Sequence, residues 1–543
     1  MSFSRKSDSS REHIPVALAA SGVIVAGLTV IPIVYLVLRG VEMGSAGIAD
    51  VLTSDATRLV LRTLSLGFAV TVSSVTLGVG AAWLTSRTDL PRRKFWAVLL
   101  SLPLVVPSYL AGFVFIAALG PRGALQKWLE PFGVAELPSI YGFQGAWLVL
   151  TLITYPYVMV TVRAALMGLD PSLEEAAATL GDSGRARALR IVLPQLRPSI
   201  MAGALLVMLY VLHDFGAVSL MRYDTFTRAI YTSYQGSFDR GRAALLSLVL
   251  VTIALLVVSL GARSGRRTSY HRVHSGSRKA PYYECLGRWK IPAVLACTVI
   301  AVLSVALPLA VCSYWMVVAL RAGALDVSSP FAAGWGSFLA SGTGTALCLI
   351  AAFPLALLTA RYRGIVPTLA GRAVFSSYAL PGVVVALSLV FFGTRAAPWM
   401  YQTVGMLAFA YLLLFLPQAV GAIRASLVQV NPSIFEAALT LGRSRTAAIG
   451  TVVLPLARPG LVGGAALVFL TIMKELPATL ILAPPGFSTL ATRVWGATAA
   501  ASFGAAAVPA VLLLLLSAVP LGAMMALESR GEAGRSSARR GIL

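Results

Sequence analysis

The chain has 543 residues, of which 57% are apolar and only 12% are charged, and its mean hydropathy is +0.82. A soluble domain carries about a quarter charged residues, so this composition excludes an ordinary soluble protein and also a disordered one. Lys and Arg outnumber Asp and Glu by 44 to 21, which gives a net charge of +23. Such an excess indicates either nucleic-acid binding or basic loops on one side of a membrane.

Twelve apolar segments are long enough to cross a bilayer, which takes about 20 residues of helix. They form two sets of six and predict an all-α polytopic membrane protein of about twelve transmembrane helices. The first set is 14–38, 59–85, 95–119, 141–165, 198–220 and 243–262, and the second is 291–319, 341–360, 373–393, 401–424, 459–483 and 505–527.

The basic residues are unevenly distributed when successive loops are assigned to alternate sides of the membrane. With both termini in the cytoplasm, 31 of the 44 Lys and Arg residues fall on the cytoplasmic side, as the positive-inside rule requires. Orientation therefore explains the charge, and nucleic acid is not an expected partner. The predicted organisation is an N-terminal tail 1–13, a six-helix unit 14–262, a basic cytoplasmic linker 263–290, a second six-helix unit 291–527 and a C-terminal tail 528–543.

The two halves carry an internal repeat. Residues 170–200 and 431–461, aligned without a gap at a shift of 261, are identical at 15 of 31 positions. Each half is therefore a copy of one six-span unit, and an even number of spans makes the two copies parallel, with pseudo-twofold symmetry about an axis normal to the membrane. In proteins with such repeats the substrate path commonly lies between the halves.

The most similar stretch in each half is a loop between the fourth and fifth spans, 170–198 in the first half and 431–459 in the second. Each loop begins with an N-cap acceptor followed by proline, which is typical of a helix start. Each short helix is expected to end at a glycine, and the next span is expected to begin at Leu-Pro. The paired landmarks are Asp170-Pro171 with Asn431-Pro432, Gly181 with Gly442, and Leu193-Pro194 with Leu454-Pro455.

The sequence E-A-A, with a glycine six positions after the Glu and Leu-Pro further on, resembles the EAA loop of type I ABC importer permeases. In that family the loop forms a coupling helix that sits in a cleft of a cytoplasmic ATPase. The resemblance implies two copies of an ATPase and an extracytoplasmic binding protein as partners. The implied docking residues are Glu175, Ala176, Ala177, Gly181, Leu193 and Pro194 in the first half, and Glu436, Ala437, Ala438, Gly442, Leu454 and Pro455 in the second.

The sequence contains no G-x-x-x-x-G-K-[ST] phosphate-binding loop and no recognisable catalytic constellation. This chain is therefore expected to be a transport subunit without a cofactor of its own, whereas ATP and Mg²⁺ are expected to bind to partner ATPase subunits. The implied location is the cytoplasmic membrane of a bacterium, where the chain crosses the lipid bilayer many times.

Four ionisable residues lie within the predicted spans, where charge is costly and usually functional. The shift of 261 superimposes His213-Asp214 on Lys474-Glu475, so each half carries a base next to an acid. Two interpretations remain open. The groups form neutralised pairs that hold helices together, or they line or gate the pathway together with Tyr210. Contacts with cargo are expected to be weak, and no tightly bound metal is expected, because a conduit must release what it carries.

Two further segments, LHDFGAVSLMRYDTFTRAIY (212–231) and MKELPATLILAPPGFSTLATRVW (473–495), are similar to segments of ferric iron permeases. The fused two-unit form also matches that group, and the resemblance implies import of ferric iron or a small iron chelate. His213 and residues 221–224 depart from that family, which leaves thiamine, phosphonates or another small solute as alternative cargoes. An ion-driven secondary transporter and a structural membrane scaffold are the alternatives from other classes.

Overall fold

The computed structural model describes most of the chain, and most of the described residues are helical. The one β-bridge found there joins Thr88 to Glu284. The predicted tails, most of the linker and the helix start at Asp170-Pro171 lie outside the described residues. Those residues are 14–45, 49, 56–121, 123–133, 138–169, 172–236, 239–266, 283–323 and 328–519.

Helices of the first half are numbered in chain order. They are α1 (Val16–Glu42), α2 (Thr57–Arg87), α3 (Arg93–Leu99), α4 (Ser108–Leu119), α5 (Ala124–Leu129), α6 (Phe143–Gly168), α7 (Ser172–Thr179), α8 (Gly184–Arg187), α9 (Leu193–His213), α10 (Gly216–Leu220), α11 (Phe226–Gln235) and α12 (Arg240–Arg266). A 3₁₀ turn, Leu102–Val105, follows α3, and a π-helical turn, Ala188–Val192, leads into α9.

Helices of the second half repeat this order. They are α13 (Lys290–Ala301), α14 (Leu307–Arg321), α15 (Ser328–Arg361), α16 (Ile365–Ser376), α17 (Gly382–Arg395), α18 (Val404–Gln429), α19 (Pro432–Thr440), α20 (Arg445–Ala448), α21 (Leu454–Met473), α22 (Pro477–Leu482), α23 (Leu490–Ala499) and α24 (Phe503–Val519). A 3₁₀ turn, Ser377–Ala379, follows α16, and a π-helical turn, Ile449–Val453, leads into α21.

Nine helical segments of the described chain are long and apolar enough to cross a membrane, and two bent helix pairs raise this number to eleven. The shorter apolar helix α24 occupies the position of the twelfth predicted span. In the bent pairs, α3 with its 3₁₀ turn meets α4 at 98°, and α16 with its turn meets α17 at 109°. The predicted spans 95–119 and 373–393 are therefore bent helix pairs and not straight helices.

Each bend falls at an X-Pro step, Val106-Pro107 or Leu380-Pro381. Proline has no amide hydrogen to continue the helical hydrogen bonds, and it drives the preceding residue out of the helical conformation. Val106 and Leu380 are accordingly extended, with ψ of 118° and 110°. The two bends are thus equivalent features of the two halves.

The bent segment of the first half nevertheless returns the chain across the membrane. Helices α2 and α6 run parallel, because Ser74 Oγ lies 2.9 Å from Thr154 Oγ1 and, further along both helices, Arg87 donates to the Leu166 carbonyl at 3.4 Å. Both helices therefore end on the same membrane face. The α3–α4 pair between them must bring the chain back to the other face, which preserves the six-crossing unit.

The repeat in the sequence is not the packing unit in space. Helices α1 and α12 of the first half join the hydrophobic core formed by α15 to α18, whereas α13, α14 and α24 of the second half join the core formed by α2 to α9. Tyr35 of α1 lies edge-on to Phe392 of α17, with ring centroids 5.7 Å apart, and Glu42 pairs with Arg395 at 3.0 Å. The two sequence halves are therefore intertwined.

The halves differ in one insertion. Arg87 and Arg361 end the equivalent helices α2 and α15 and are 274 residues apart, whereas His213 and Lys474 are 261 apart. The extra residues of the first half lie between α4 and α6, where α5 is found. Equivalent positions are therefore related by a shift of 274 before α5 and by 261 after it.

Candidate functional site

The short helices α7 and α19 have the predicted form. The Asn431 side chain caps α19 by accepting a hydrogen bond from the amide of Ser433 at 3.1 Å. Each helix ends just before a glycine in the left-handed region, with φ of +89° at Gly181 and +82° at Gly442. Helices α9 and α21 are α-helical from Leu193 and Leu454, but the π-helical turn before each continues the same span, which is helical from Ala188 in the first half and from Arg445 in the second. The expected start of the span at Leu-Pro is therefore too late. We call the membrane face that carries α7 and α19 the motif face.

Both short helices present exposed apolar side chains at equivalent positions. Leu180 and Leu441 are 87% and 83% exposed, and each lies beside an exposed Glu-Ala pair. Exposed apolar groups with a polar rim are typical of protein-protein contact sites. Leu180 and Leu441 were not among the predicted docking residues. Of the predicted set, Ala177 and Ala438 are buried and Pro194 and Pro455 are half-buried, whereas the exposed members are Glu175, Ala176, Gly181, Leu193, Glu436, Ala437, Gly442 and Leu454.

The first short helix is held to the end of α2 by a buried ion pair. Arg87, which is 3% exposed, contacts the carboxylate of Glu174 at 2.9 Å and also donates to the Leu166 carbonyl. Phe435 stands at the position of Glu174 in the second half and packs against the core there. The guanidinium of Arg361 has its Nη2 buried without a hydrogen-bond partner among the described residues. Sequence reasoning missed this pair, although the Glu-to-Phe difference between the repeats was a visible signal.

The last residues of the linker also belong to the motif face. The amide of Glu284 donates to the Arg87 carbonyl at 2.8 Å, and the amide of Asp89 donates to the Glu284 carbonyl at 3.2 Å. The Asp89 carboxylate accepts from the Leu286 amide and pairs with Lys290, both at 2.8 Å. These hydrogen bonds, the one from Leu286 first, lower the pKa of Asp89. The interpretation of 263–290 as a mere linker is therefore incomplete at its end.

The four ionisable residues lie at helix breaks. His213 is the last residue of α9, and Lys474 directly follows α21, so the predicted spans 198–220 and 459–483 are each interrupted there. The Asp214 carboxylate accepts from the amides of Ala217 and Val218 in α10 at 3.0 and 3.2 Å. In the same way, Glu475 accepts from the amide of Ala478 in α22 at 3.0 Å. Each acid therefore caps the positive end of the short helix that follows it.

The two bases contact the opposite half of the chain. Lys474 Nζ donates to the Leu104 carbonyl at 2.8 Å, and His213 lies against the backbone of Ala379. Both contacts fall on the 3₁₀ turns that precede the proline bends. No ion pair joins Lys474 to Glu475 or His213 to Asp214, all four of which lie in the described part of the chain. The interpretation as neutralised base-acid pairs is therefore wrong.

Tyr210 lies one turn before His213, but it faces its own half. Its ring centroid is 5.7 Å from that of Tyr157 in α6, and its phenol is close to the Ser108 hydroxyl at the start of α4. Close to His213, an aromatic contact between the halves is instead made by Phe215 and Trp495, with ring centroids 5.1 Å apart. Sequence reasoning did not single out this pair, since neither residue is charged or repeated.

The chain matches the family model of the binding-protein-dependent transport system inner membrane component twice, over residues 74–270 and 352–531. The Fe(3+)-transport system permease protein FbpB 2 of Haemophilus influenzae is 34% identical over 512 residues, which cover 92% of this chain and 96% of that protein.

Two Escherichia coli permeases match less than half of this chain. The sulfate transport system permease protein CysT is 28% identical over 276 residues, which cover 48% of this chain and 99% of that protein. The molybdenum transport system permease protein ModB is 32% identical over 227 residues, which cover 40% of this chain and 97% of that protein. The chain therefore belongs to the family of binding-protein-dependent transport system inner membrane components, and it is a multi-pass membrane permease of an ABC importer.

Proposed function

We propose that this permease imports ferric iron, free or as a small chelate, into the bacterial cytoplasm. The observation that carries the proposal is the match over 92% of the chain to a protein named for Fe(3+) transport. The sulfate and molybdenum permeases match under half of the chain each. Membership of a binding-protein-dependent transport family also argues against the alternative that this chain is an ion-driven secondary transporter. Cargo then arrives from an extracytoplasmic binding protein.

Helices α7 and α19 are the proposed docking sites for two copies of a cytoplasmic ATPase, which bind ATP and Mg²⁺. The support is their duplicated surface, in which an exposed Glu and an exposed Leu recur at equivalent positions. One face with two equivalent sites fits two copies of one partner. The excess of basic residues on that side supports a cytoplasmic motif face with both termini on the same side.

Transport follows from this arrangement. Closure of the ATPases on ATP draws α7 and α19 towards each other and tilts the helices that follow them, α9 and α21. Because α1 and α12 pack with the second half, and α13, α14 and α24 pack with the first, the halves move as two intertwined bodies. The path between them then opens alternately to the two sides of the membrane.

The cargo is tested by uptake of radioactive iron in cells that lack their own ferric importer and express this chain with its ATPase and binding protein. Ferric iron is expected to enter, and excess thiamine, phosphonate, sulfate or molybdate is expected to leave its uptake unchanged. Competition by one of these solutes, together with its own ATP-dependent uptake, would replace iron as the proposed cargo. Uptake driven by a proton gradient in vesicles without ATP would contradict the ATP-driven mechanism.

The docking sites are tested by the double variant Glu175→Arg with Glu436→Arg. Reversal of two exposed charges on the docking surface is expected to abolish uptake and co-purification of the ATPase, while the chain still inserts into the membrane. The matched control is Glu130→Arg, another exposed acid, which lies in the α5 insertion between α4 and α6. Normal uptake and normal ATPase co-purification by the double variant would refute the docking assignment.

A further inference from the structure

The base and the acid of each pair act on different halves of the molecule. Each acid stabilises its own half, because α10 packs on the start of α4 and α22 packs on the start of α17. A Cβ atom on Gly216 would lie 2.8 Å from Ser108 Oγ, and one on Gly382 would lie 2.6 Å from Glu475 Oε1. Within each half, the end of the fifth span is thus fixed closely to the bent helix pair.

Each base instead reaches across to the bent pair of the other half. Lys474 donates to the carbonyl of Leu104, and His213 lies against the backbone of Ala379. The equivalent of Leu104 in the second half is Tyr378, so the two contacted positions correspond to within one residue. A carbonyl just before a proline bend lacks its usual helical partner, because the helix does not continue past the proline. At Leu104 the ammonium of Lys474 from the opposite half takes the place of that helical partner.

These contacts lie towards the face opposite the motif face. Helix α9 begins on the motif face, and its 21 residues extend about 30 Å. The Thr227 hydroxyl donates to the Asp214 carbonyl at 2.6 Å, and the neighbouring Phe226 amide donates to Thr63 Oγ1 at 3.2 Å. Thr63 lies near the beginning of α2, the end of that helix remote from the motif face. The cross-half contacts therefore lie on the side of the membrane midplane that is remote from the motif face.

We propose that His213 and Lys474 are paired latches of the outer gate, and that each holds the bent helix of the opposite half in the closed state. This inference rests on the proposed importer mechanism. Rocking of the halves breaks only contacts between them, so the Lys474–Leu104 and His213–Ala379 contacts part while the acid caps remain. Phe215, two residues after His213, also contacts Trp495 of the second half. A lysine ammonium bonded to a carbonyl is the stronger latch, since charged donors make stronger hydrogen bonds.

The experiment links position 104 to position 474 with a short, reducible bis-thiosulfonate crosslinker in the variant Leu104→Cys with Lys474→Cys. Cys285 is replaced by Ser because it is the exposed cysteine of the chain. The complete importer in proteoliposomes is expected to lose uptake on crosslinking and to recover it on reduction. The control pair, Ser74→Cys with Thr154→Cys, joins oxygens 2.9 Å apart within the first half. Its crosslink is expected to leave uptake unchanged.

Crosslinking itself provides a readout that does not require transport. The 104–474 link is expected to form readily in the nucleotide-free complex and to be lost after trapping with ATP and vanadate, whereas the 74–154 link forms in both states. Equal yields of the 104–474 link in both states, or continued uptake by the crosslinked importer, would overturn the latch. Failure of the reduced variant and of the control pair to carry iron would instead count against the proposed cargo.

A single substitution gives a second measure. Lys474→Met removes the hydrogen-bond donor to the Leu104 carbonyl and keeps a long side chain. The closed state of the outer gate therefore loses one of its two proposed stabilising contacts. ATP hydrolysis in the absence of binding protein is expected to rise about tenfold, within the range of typical coupling energies. The matched control is Thr471→Val, which removes a hydroxyl bonded within its own helix to the Leu467 carbonyl. Unchanged basal hydrolysis in Lys474→Met would contradict the assignment.

Discussion

The two short helices of the motif face share a shape but differ in how they are fastened to the membrane-spanning helices. Helix α7 is anchored by the buried pair of Glu174 with Arg87, whereas α19 is anchored by the aromatic ring of Phe435. Their turns at Gly181 and Gly442 have nearly the same φ. The duplicated backbone has therefore been kept while the anchoring chemistry has changed.

The difference shows that the same backbone geometry can be stabilised by two kinds of contact. The two contacts differ in how much stability is lost when one side chain is replaced. A buried ion pair loses much of its attraction to desolvation and becomes strongly unfavourable when one partner is removed. An apolar contact loses only the area it buries. The end of the linker adds to this difference between the halves. The amide of Glu284 donates a hydrogen bond to the Arg87 carbonyl and so helps to fix the end of α2 that holds α7.

The largest expected effect comes from removing the carboxylate of the first anchor. Glu174→Leu leaves the guanidinium of Arg87 buried without its counter-charge, which is expected to cost about 3–5 kcal/mol of stability. The matched change in the second half, Phe435→Leu, is expected to cost under about 1.5 kcal/mol, because it exchanges one apolar side chain for another. Thermal unfolding of the purified importer measures both. Equal losses would show that the Glu174 pair does not anchor α7.

A second prediction transfers the anchor from one half to the other. Phe435→Glu is expected to supply a carboxylate to Arg361, whose Nη2 is buried without a partner in the described part of the chain. A double-mutant cycle with Arg361→Leu should then show favourable coupling of about 1–3 kcal/mol. The corresponding cycle between Glu174 and Arg87 is the reference. Absence of coupling in the second half would mean that Arg361 does not occupy the place of Arg87.

The smallest expected effect concerns the linker contact. Asp89→Asn loses the pair with Lys290 but keeps an acceptor for the Leu286 amide, so the melting temperature is expected to fall less than in Glu174→Leu. The native pKa of Asp89 is lowered, so its ionised form stabilises the folded state above the unfolded pKa of about 3.9. That contribution is lost as the pH falls through the lowered native pKa.

The pH dependence is checked by comparing melting temperatures of the wild type and Asp89→Asn across the acid range. The difference between them is expected to be constant near neutral pH and to vanish in acid. A difference that persists below the native pKa would show that the Asp89 contact is not electrostatic. Lys290→Met serves as the control, since it removes the ion pair and leaves the carboxylate bonded to Leu286.

Much of this molecule follows from local patterns in the sequence. The apolar segments, the repeat at a shift of 261 and the turns at Gly181 and Gly442 all depend on nearby residues. Hydropathy, N-cap chemistry and the left-handed preference of glycine act within a few residues of the chain. The prolines at 107 and 381 were equally visible, but an apolar stretch alone does not show that a helix bends there.

Only the tertiary structure decided which groups meet. The acids Asp214 and Glu475 bond to the amides of the next short helices, while the bases beside them cross to the other half. The first and last helices of each half exchange cores, and the linker end docks beside Arg87. A buried polar group bonds to whichever partner the packing brings within about 3 Å, and adjacency in the sequence does not determine that partner.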